Sequence, residues 1–132
     1  MKKIVLLAAC AGLAACARAP ESIDGNQVYF AFDSAVISDK ASAELKNQSL
    51  YLKQHPEQKV VLAGYCDDRG SVEYNRALGA LRASNAAHVL IKDGIEPERI
   101  TTTSYGKEEP QYAGTGEKVW SLTRNVTTTV VK

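Results

Sequence analysis

The chain is poor in the residues that carry catalysis. It has two histidines, His55 and His88, and three cysteines in 132 residues. His55 stands before Pro56 at an expected helix end, and His88 lies beside Val89 in a second expected helix. Neither has a serine, cysteine or aspartate at a recognisable catalytic spacing, and no GxSxG, HExxH or P-loop pattern occurs. Nucleophilic or general-base chemistry needs such a partner within reach. The chain therefore reads as a non-enzyme. Two isolated histidines make no metal-ligand cluster, so neither a metal nor another cofactor is expected. Charge of one sign is also lacking. Lys plus Arg number 16 against 15 Asp plus Glu, with no basic stripe, which leaves nucleic-acid binding without electrostatic support. Nor is there an apolar run long enough to span a bilayer. The longest, Ile4 to Ala15, would extend about 18 Å as a helix against a hydrocarbon core of about 30 Å.

That run has a different use. Lys2 and Lys3 precede it as a basic n-region, and residues 1–15 read as a signal peptide. It ends Leu13-Ala14-Ala15-Cys16, which resembles a bacterial lipobox. Leu7-Ala8-Ala9-Cys10 has the same pattern, but leaves an apolar stretch from Ile4 to Ala9 that is too short for an h-region. Cys16 is accordingly expected to become the acylated first residue, carrying N-palmitoyl and S-diacylglycerol groups. Ala17 follows it rather than aspartate, which points by resemblance to outer-membrane sorting, with the domain in the periplasm. Cleavage leaves Cys66 as the one cysteine besides the lipidated Cys16, so no intrachain disulfide is expected. A buried inert thiol at a strand end is the favoured reading of Cys66, against a reactive thiol beside Asp67.

Residues 16–27 are polar, contain Pro20 and Gly25, and read as a lipidated N-terminus and tether reaching at most about 35–40 Å. Residues 28–132 form one domain. A β-prone run at 28–32 ends in the turn signal Asp33-Ser34. Ser38 offers an N-cap to a helix whose thin apolar stripe is Ala41, Leu45, Gln48 and Leu52. His55-Pro56 ends that helix. Residues 59–65 form a strand with a continuous apolar centre, expected to be buried on both faces. A second helix at 74–92 places Leu78, Leu81, Asn85 and Val89 on one side, with Gly94 at C′. Residues 100–105 form a threonine-rich strand, 106–123 a long connection, and 126–131 the last strand. The order is β-α-β-α-β-β. It predicts an α+β sandwich with two helices on one face of a small mixed sheet.

The most informative segment is 64–82, GYCDDRGSVEYNRALGALR. An Asp-Asp-Arg-Gly turn follows a strand, and Asn75 opens the helix that carries Arg82. Seven residues return to within about 20° on a helix, so Asn75 and Arg82 share a face. Arg82 lies about two turns further along, and its side chain points back toward the helix N-terminus. An acid and a guanidinium thus meet at a strand-to-helix junction. Such a pair can grip a small zwitterion, although a solvated turn and a snorkelling arginine would show the same spacing.

Four stretches carry a resemblance: YFAFDS at 29–34, GYCDDRGSVEYNRALGALRA at 64–83, SYGKEEP at 104–110 and SLTRN at 121–125. Together with the lipobox they resemble the OmpA-like C-terminal domain family, and within it the peptidoglycan-associated lipoproteins (Pal). The likeness extends over 28–132. It implies non-covalent binding of the peptidoglycan stem peptide, centred on diaminopimelate. Carried over by position, Asp67 takes the diaminopimelate ammonium and Arg82 pairs with its carboxylate. Phe32, Asp33 and Ser34 supply backbone contacts, and Leu78 an apolar wall. Gly70, Asn75 and Arg124 support the site, Asn75 by holding the loop, while Asp68 and Arg69 serve turn structure or partner contact. The resemblance further implies an outer-membrane lipoprotein tying membrane to wall within a Tol-Pal system. That system supports envelope integrity and constriction at division, and includes a TolB-like periplasmic propeller as partner. The alternative is an OmpA-like lipoprotein outside the Tol system that acts mainly as a protein-docking module. Tyr65, Ala31 and Asn125 depart from the family pattern. Asn125 replaces the second arginine of a pair that frames the family's site.

Overall fold

A computed structural model describes residues 19–132. The expected signal peptide and the acylated Cys16 lie outside the described residues. The elements are β1 (Gln27–Tyr29), α1 (Asp39–Gln54), β2 (Val60–Tyr65), α2 (Val72–Lys92), β3 (Ile100–Gly106), α3 (Glu117–Thr123) and β4 (Asn125–Val130), with a 3-10 turn at Pro97–Arg99. The sheet order is β1-β4-β2-β3. β4 runs antiparallel to both β1 and β2, while β2 and β3 are parallel. A parallel pair requires a crossover, and α2 supplies it. The fold is α+β with a small mixed sheet, as expected.

Helix starts follow local capping. The Ser38 hydroxyl accepts from the Ala41 N–H at 3.1 Å, and the Ser71 hydroxyl from the Tyr74 N–H at 3.0 Å. The second cap sets the start of α2 at Val72, two residues ahead of the expected one. The α1 stripe of Ala41, Leu45, Gln48 and Leu52 is buried as expected. Gln48 is satisfied there by the Thr128 hydroxyl, which donates to its Oε1 at 2.7 Å.

Four expectations need correction. First, the buried side of α2 is Asn75, Gly79, Arg82, Ala83, Ala86, Ala87 and Leu90, whereas Leu81 is exposed. The helix lies so near the sheet that small residues, not large ones, mark its inner face. Second, the connection at 106–123 contains the short helix α3, hidden in sequence by the glycines around it. Third, regular pairing of β1 ends at Tyr29, although the Phe30 N–H still donates to the Arg124 carbonyl at 2.8 Å. β2 is fully buried at Val60, Leu62, Ala63 and Gly64, but Val61 and Tyr65 are only half covered. Fourth, the domain begins before residue 28. Ile23 is wholly buried in the core, and the Gly25 N–H donates to the Thr128 carbonyl at 2.7 Å. The chain between Cys16 and Ile23 can reach at most about 25 Å, shorter than the expected tether.

The core gathers Leu45 and Leu52 of α1, Val60 and Leu62 of β2, Leu90 of α2 and Val126 of β4. Burying each leucine fully contributes about 1.5–3 kcal/mol. The core reaches Val126, which pairs with Gly64 near the end of β2. Where α2 begins, it meets the β1–α1 loop and the 66–70 turn.

Candidate functional site

Close approach of helix and sheet creates the site. A Cβ on Gly64 would stand 1.9 Å from the Gly79 carbonyl oxygen, so β2 and α2 touch backbone to backbone. This contact lowers α2 onto the sheet just before Arg82. Gly70 holds φ +91°, a left-handed turn that side chains disfavour, and brings the chain from the acidic turn back to Ser71.

Arg82 is 1% exposed. Its Nε donates to the Ser34 carbonyl at 2.8 Å, Nη1 to the Tyr65 carbonyl at 2.9 Å, and Nη2 to the Ala31 carbonyl at 3.0 Å. One side chain thus ties the loop after β1 to the end of β2. Burial lowers its pKa from the ordinary arginine value.

Asp67 is 5% exposed. Its Oδ1 accepts from the Arg69 backbone N–H at 3.1 Å and from Nε at 3.2 Å, and its Oδ2 from Nη2 at 2.7 Å. Arg124 stands behind it, with Nη1 3.5 Å from Oδ2. Arg124 itself donates through Nε to the Phe30 carbonyl at 2.9 Å and through Nη2 to Glu117 at 2.8 Å. Burial alone would raise the Asp67 pKa, but the Arg69 hydrogen bonds and charge, with help from Arg124, hold it below the ordinary carboxylate value. Asn75 is buried and donates through Nδ2 to the carbonyls of Arg69 at 2.6 Å and Ser71 at 3.0 Å. It fastens the turn to the helix start.

These groups open on a cleft of about 230 Å³. Phe32 and Asp33 come from the β1–α1 loop. Asp67, Arg69 and Gly70 come from the turn, and Tyr74, Asn75, Leu78 and Arg82 from α2. Most of the residues singled out in the sequence therefore meet here. Two stand back from the wall. Ser34 gives its carbonyl to Arg82 and accepts the Val36 N–H on its hydroxyl at 3.1 Å. Arg124 buttresses Asp67 from behind. The departures from the family pattern also lie off the wall. The Tyr65 ring packs on Tyr105 at 5.4 Å, and Asn125 donates to Gln111 Oε1 and the Leu122 carbonyl, both at 2.8 Å.

Sequence reasoning missed three contributors. The Tyr74 hydroxyl donates to the Asp33 carboxylate. The Arg69 guanidinium lies between the Phe32 ring at 3.8 Å and the Trp120 ring at 3.9 Å. Trp120, in turn, donates through Nε1 to Asp68 at 2.8 Å. A lone tryptophan within a glycine-rich connection was the available signal. Arg69, expected to serve turn structure or partner contact, thus lines the cleft, and Asp68 fixes Trp120 behind it. Cys66 is buried beside the cleft, where its thiol donates to the Asn75 carbonyl at 3.2 Å. Burial pushes its pKa up to about 11, only partly offset by Arg82. The thiol is therefore protonated at neutral pH. Chemically, the cleft presents Asp33, Asp67, Arg69 and Arg82 around the apolar Phe32 and Leu78. It suits a ligand bearing both charges on a short apolar stem.

Comparison with known proteins agrees with this architecture. The OmpA family model matches residues 29–122. A peptidoglycan-associated lipoprotein of Legionella pneumophila is 41% identical over 102 residues, covering 76% of this chain and 58% of the relative. One from Mesorhizobium japonicum is 38% identical over 106 residues, covering 80% of this chain and 63% of the relative. The chain thus spans about three fifths of the length of these curated relatives. Among solved structures, the peptidoglycan-associated lipoprotein of Burkholderia pseudomallei superposes with TM-score 0.77 at 35% identity, covering 80% of this chain and 89% of that one. The C-terminal domain of Helicobacter pylori MotB, at 20% identity and TM-score 0.74, shares the fold. Matched over most of its domain in sequence and structure, the chain belongs to the OmpA family, on its peptidoglycan-associated lipoprotein branch.

Proposed function

We propose that the domain binds peptidoglycan non-covalently through the stem peptide, gripping the amino-acid head of diaminopimelate. The observation that carries this reading is the convergence of buried Asp67 and Arg82 on one cleft at the strand-to-helix junction. Arg69 donates three hydrogen bonds to the Asp67 carboxylate and Arg124 Nη1 stands 3.5 Å from its Oδ2, so a ligand ammonium would share this carboxylate with them. Arg82 sets positive charge beneath the ligand carboxylate. Phe32 and Asp33 contribute backbone, Ser34 fixes that loop through its carbonyl to Arg82, and Leu78 faces the methylene stem. Each charge-assisted bond contributes about 1.5–3 kcal/mol, so one site has modest affinity and repetition along the wall increases retention.

In the same reading, acylated Cys16 ties the domain to the outer membrane from the periplasmic side, and no catalytic step is involved. Among the described residues no helix is long and apolar enough to cross a membrane. The protein then links membrane to wall within a Tol-Pal system that supports envelope integrity and constriction at division. Pull-down with purified sacculi tests the core of the proposal. Wild-type protein should co-sediment, free diaminopimelate should compete, and rising salt should weaken retention. Failure to co-sediment at low salt would sink it.

A second reading has its own observation. Phe32 and Tyr74 flank the cleft mouth at 56% and 52% exposure, an apolar rim suited to a protein partner such as a TolB-like propeller. The domain would then act mainly as a docking module, inside or outside a Tol system. Soluble stem peptide that fails to compete with the partner would place docking on another surface.

A further inference from the structure

We propose that the domain carries a second ligand pocket, on the far side of the acidic turn from the cleft, and that it takes a neutral N-acetylated amino sugar of the wall's glycan chain. The inference rests on the peptidoglycan reading and extends it from the peptide to the sugar.

The pocket measures about 240 Å³ and shares only Cys66 with the cleft. Asp68 and Lys107 adjoin in its wall, because Lys107 Nζ donates to the Gly70 carbonyl at 2.5 Å and to the Asp68 carbonyl at 3.5 Å. Pro110, Tyr112 and Trp120 supply apolar surface. The stack of Arg69 on Trp120 is the partition between the two hollows, since Arg69 lines the cleft and Trp120 lines this pocket. The stretch at 104–110 has no member in the cleft wall, yet two of its residues, Lys107 and Pro110, meet here.

Both polar groups keep capacity. Asp68 Oδ1 accepts the Trp120 indole N–H at 2.8 Å, and among the described residues no donor reaches Oδ2. An ammonium has three N–H groups, and Lys107 spends two on the carbonyls. One free acceptor and one free donor of opposite charge select against a ligand with net charge of either sign. A cation meets Lys107, and an anion meets Asp68. A hydroxyl both donates and accepts, so it satisfies the pair. The aromatic and proline surface asks the same ligand for an apolar side. A pyranose ring has a C–H face and a rim of hydroxyls, and an acetamido group adds a methyl beside a polar amide. The stem peptide assigned to the cleft branches from a chain of such sugars. One polymer thus carries both ligands to neighbouring hollows.

The test compares a muropeptide, the disaccharide joined to a stem peptide ending in diaminopimelate, with the same stem peptide stripped of sugar. Titration calorimetry of the full chain gives a sugar preference within each variant. Partial unfolding lowers both affinities together, so the ratio survives. Wild type should prefer the muropeptide by about tenfold. Tyr112→Ala should bring the ratio near one, whereas Tyr112→Phe, which keeps the ring, should retain it. Asp68→Asn keeps an acceptor for Trp120 and should lower the ratio. Trp120 is the only tryptophan, so its fluorescence reports the pocket separately. N,N′-diacetylchitobiose should change that emission, and free diaminopimelate should not reverse the change. A wild-type ratio near one, a ratio that neither Tyr112→Ala nor Asp68→Asn lowers, or reversal by diaminopimelate overturns the second pocket and leaves the peptidoglycan reading intact. Wild type that binds neither muropeptide nor sacculi removes both.

Discussion

The two halves of α2 are held by different physics. From Ala83 onward its inner face is Ala83, Ala86, Ala87 and Leu90, packed on the apolar core. Before that point the buried residues are Asn75, Gly79 and Arg82. The C-terminal half is secured chiefly by apolar burial, which is non-directional and indifferent to pH, with a single loop bond from Asn85 Nδ2 to the Ala35 carbonyl at 2.8 Å. The N-terminal half is secured by directional bonds from side chains to loop backbone. Every one of those bonds fixes the position of a particular loop atom. A ligand site needs that positional definition, so here the same polar groups hold the fold and shape the cleft.

Four perturbations would break or sharpen this contrast. The largest effect is expected from Gly64→Ala. Its Cβ would meet the Gly79 carbonyl at 1.9 Å, backbone against backbone, with no side chain to move aside. Overpacking of this severity should cost more than about 3 kcal/mol. Circular dichroism should show loss of cooperative unfolding, and a normal melt would mean that α2 can lift off the sheet cheaply.

Arg82→Ala and Leu90→Ala form the next comparison. Leu90 is fully buried, and its truncation should cost about 2–5 kcal/mol. Arg82→Ala leaves three carbonyls without their donor, at about 1–3 kcal/mol for each group left unsatisfied. The stability losses should be similar in urea titrations. Their consequences should not be. Muropeptide affinity should survive Leu90→Ala, measured on the folded fraction, and collapse in Arg82→Ala because the loop at 31–34 loses its anchor. Equal effects on affinity would show that the halves are not functionally distinct.

Acid should separate them next. The folded pKa of Asp67 lies below its unfolded value, so its contribution to stability is complete above the ordinary carboxylate range near pH 4. It is lost as pH falls through the lower folded value. Amide exchange between pH 6 and pH 3 should therefore rise first at 67–75, with 83–90 protected for longer. Asp67→Asn should abolish the difference. Uniform loosening of both halves would argue that global charge, not Asp67, drives acid unfolding.

The sequence made some of this legible, for identifiable reasons. Caps at Ser38 and Gly94, the α1 stripe and the acid–arginine junction are local signals, set within one helical turn or by helical repeat. The inner face of α2 is not legible from its large residues, which the spacing gathers at Leu78, Leu81, Asn85 and Val89. The contact of Gly64 with Gly79 makes small residues the buried ones, and that contact joins positions far apart in sequence. The stack on Arg69 was illegible for the same reason. Phe32, Arg69 and Trp120 come from three separate segments, and only the folded sheet brings them together. Ile23 reads as tether from its polar neighbours, yet it fills the core.

The smallest effect concerns Cys66, which sits at the border between the halves, 3.5 Å from Arg82 Nη1. Burial raises its folded pKa from an ordinary 9.0 to about 11. Thiolate fraction alone then makes the native thiol about 100-fold less reactive at neutral pH than the unfolded one. Ellman's reagent at pH 7.5, with and without urea, measures the ratio directly. Muropeptide in the cleft should slow native labelling further, because Cys66 lines that cleft and ligand stabilises the polar half. Leu90→Ala, which loosens the apolar half, should speed labelling only in proportion to its global loss of stability. A native thiol that reacts as fast as the unfolded one would restore the reactive reading of Cys66, and would mean that the polar half opens independently of the core.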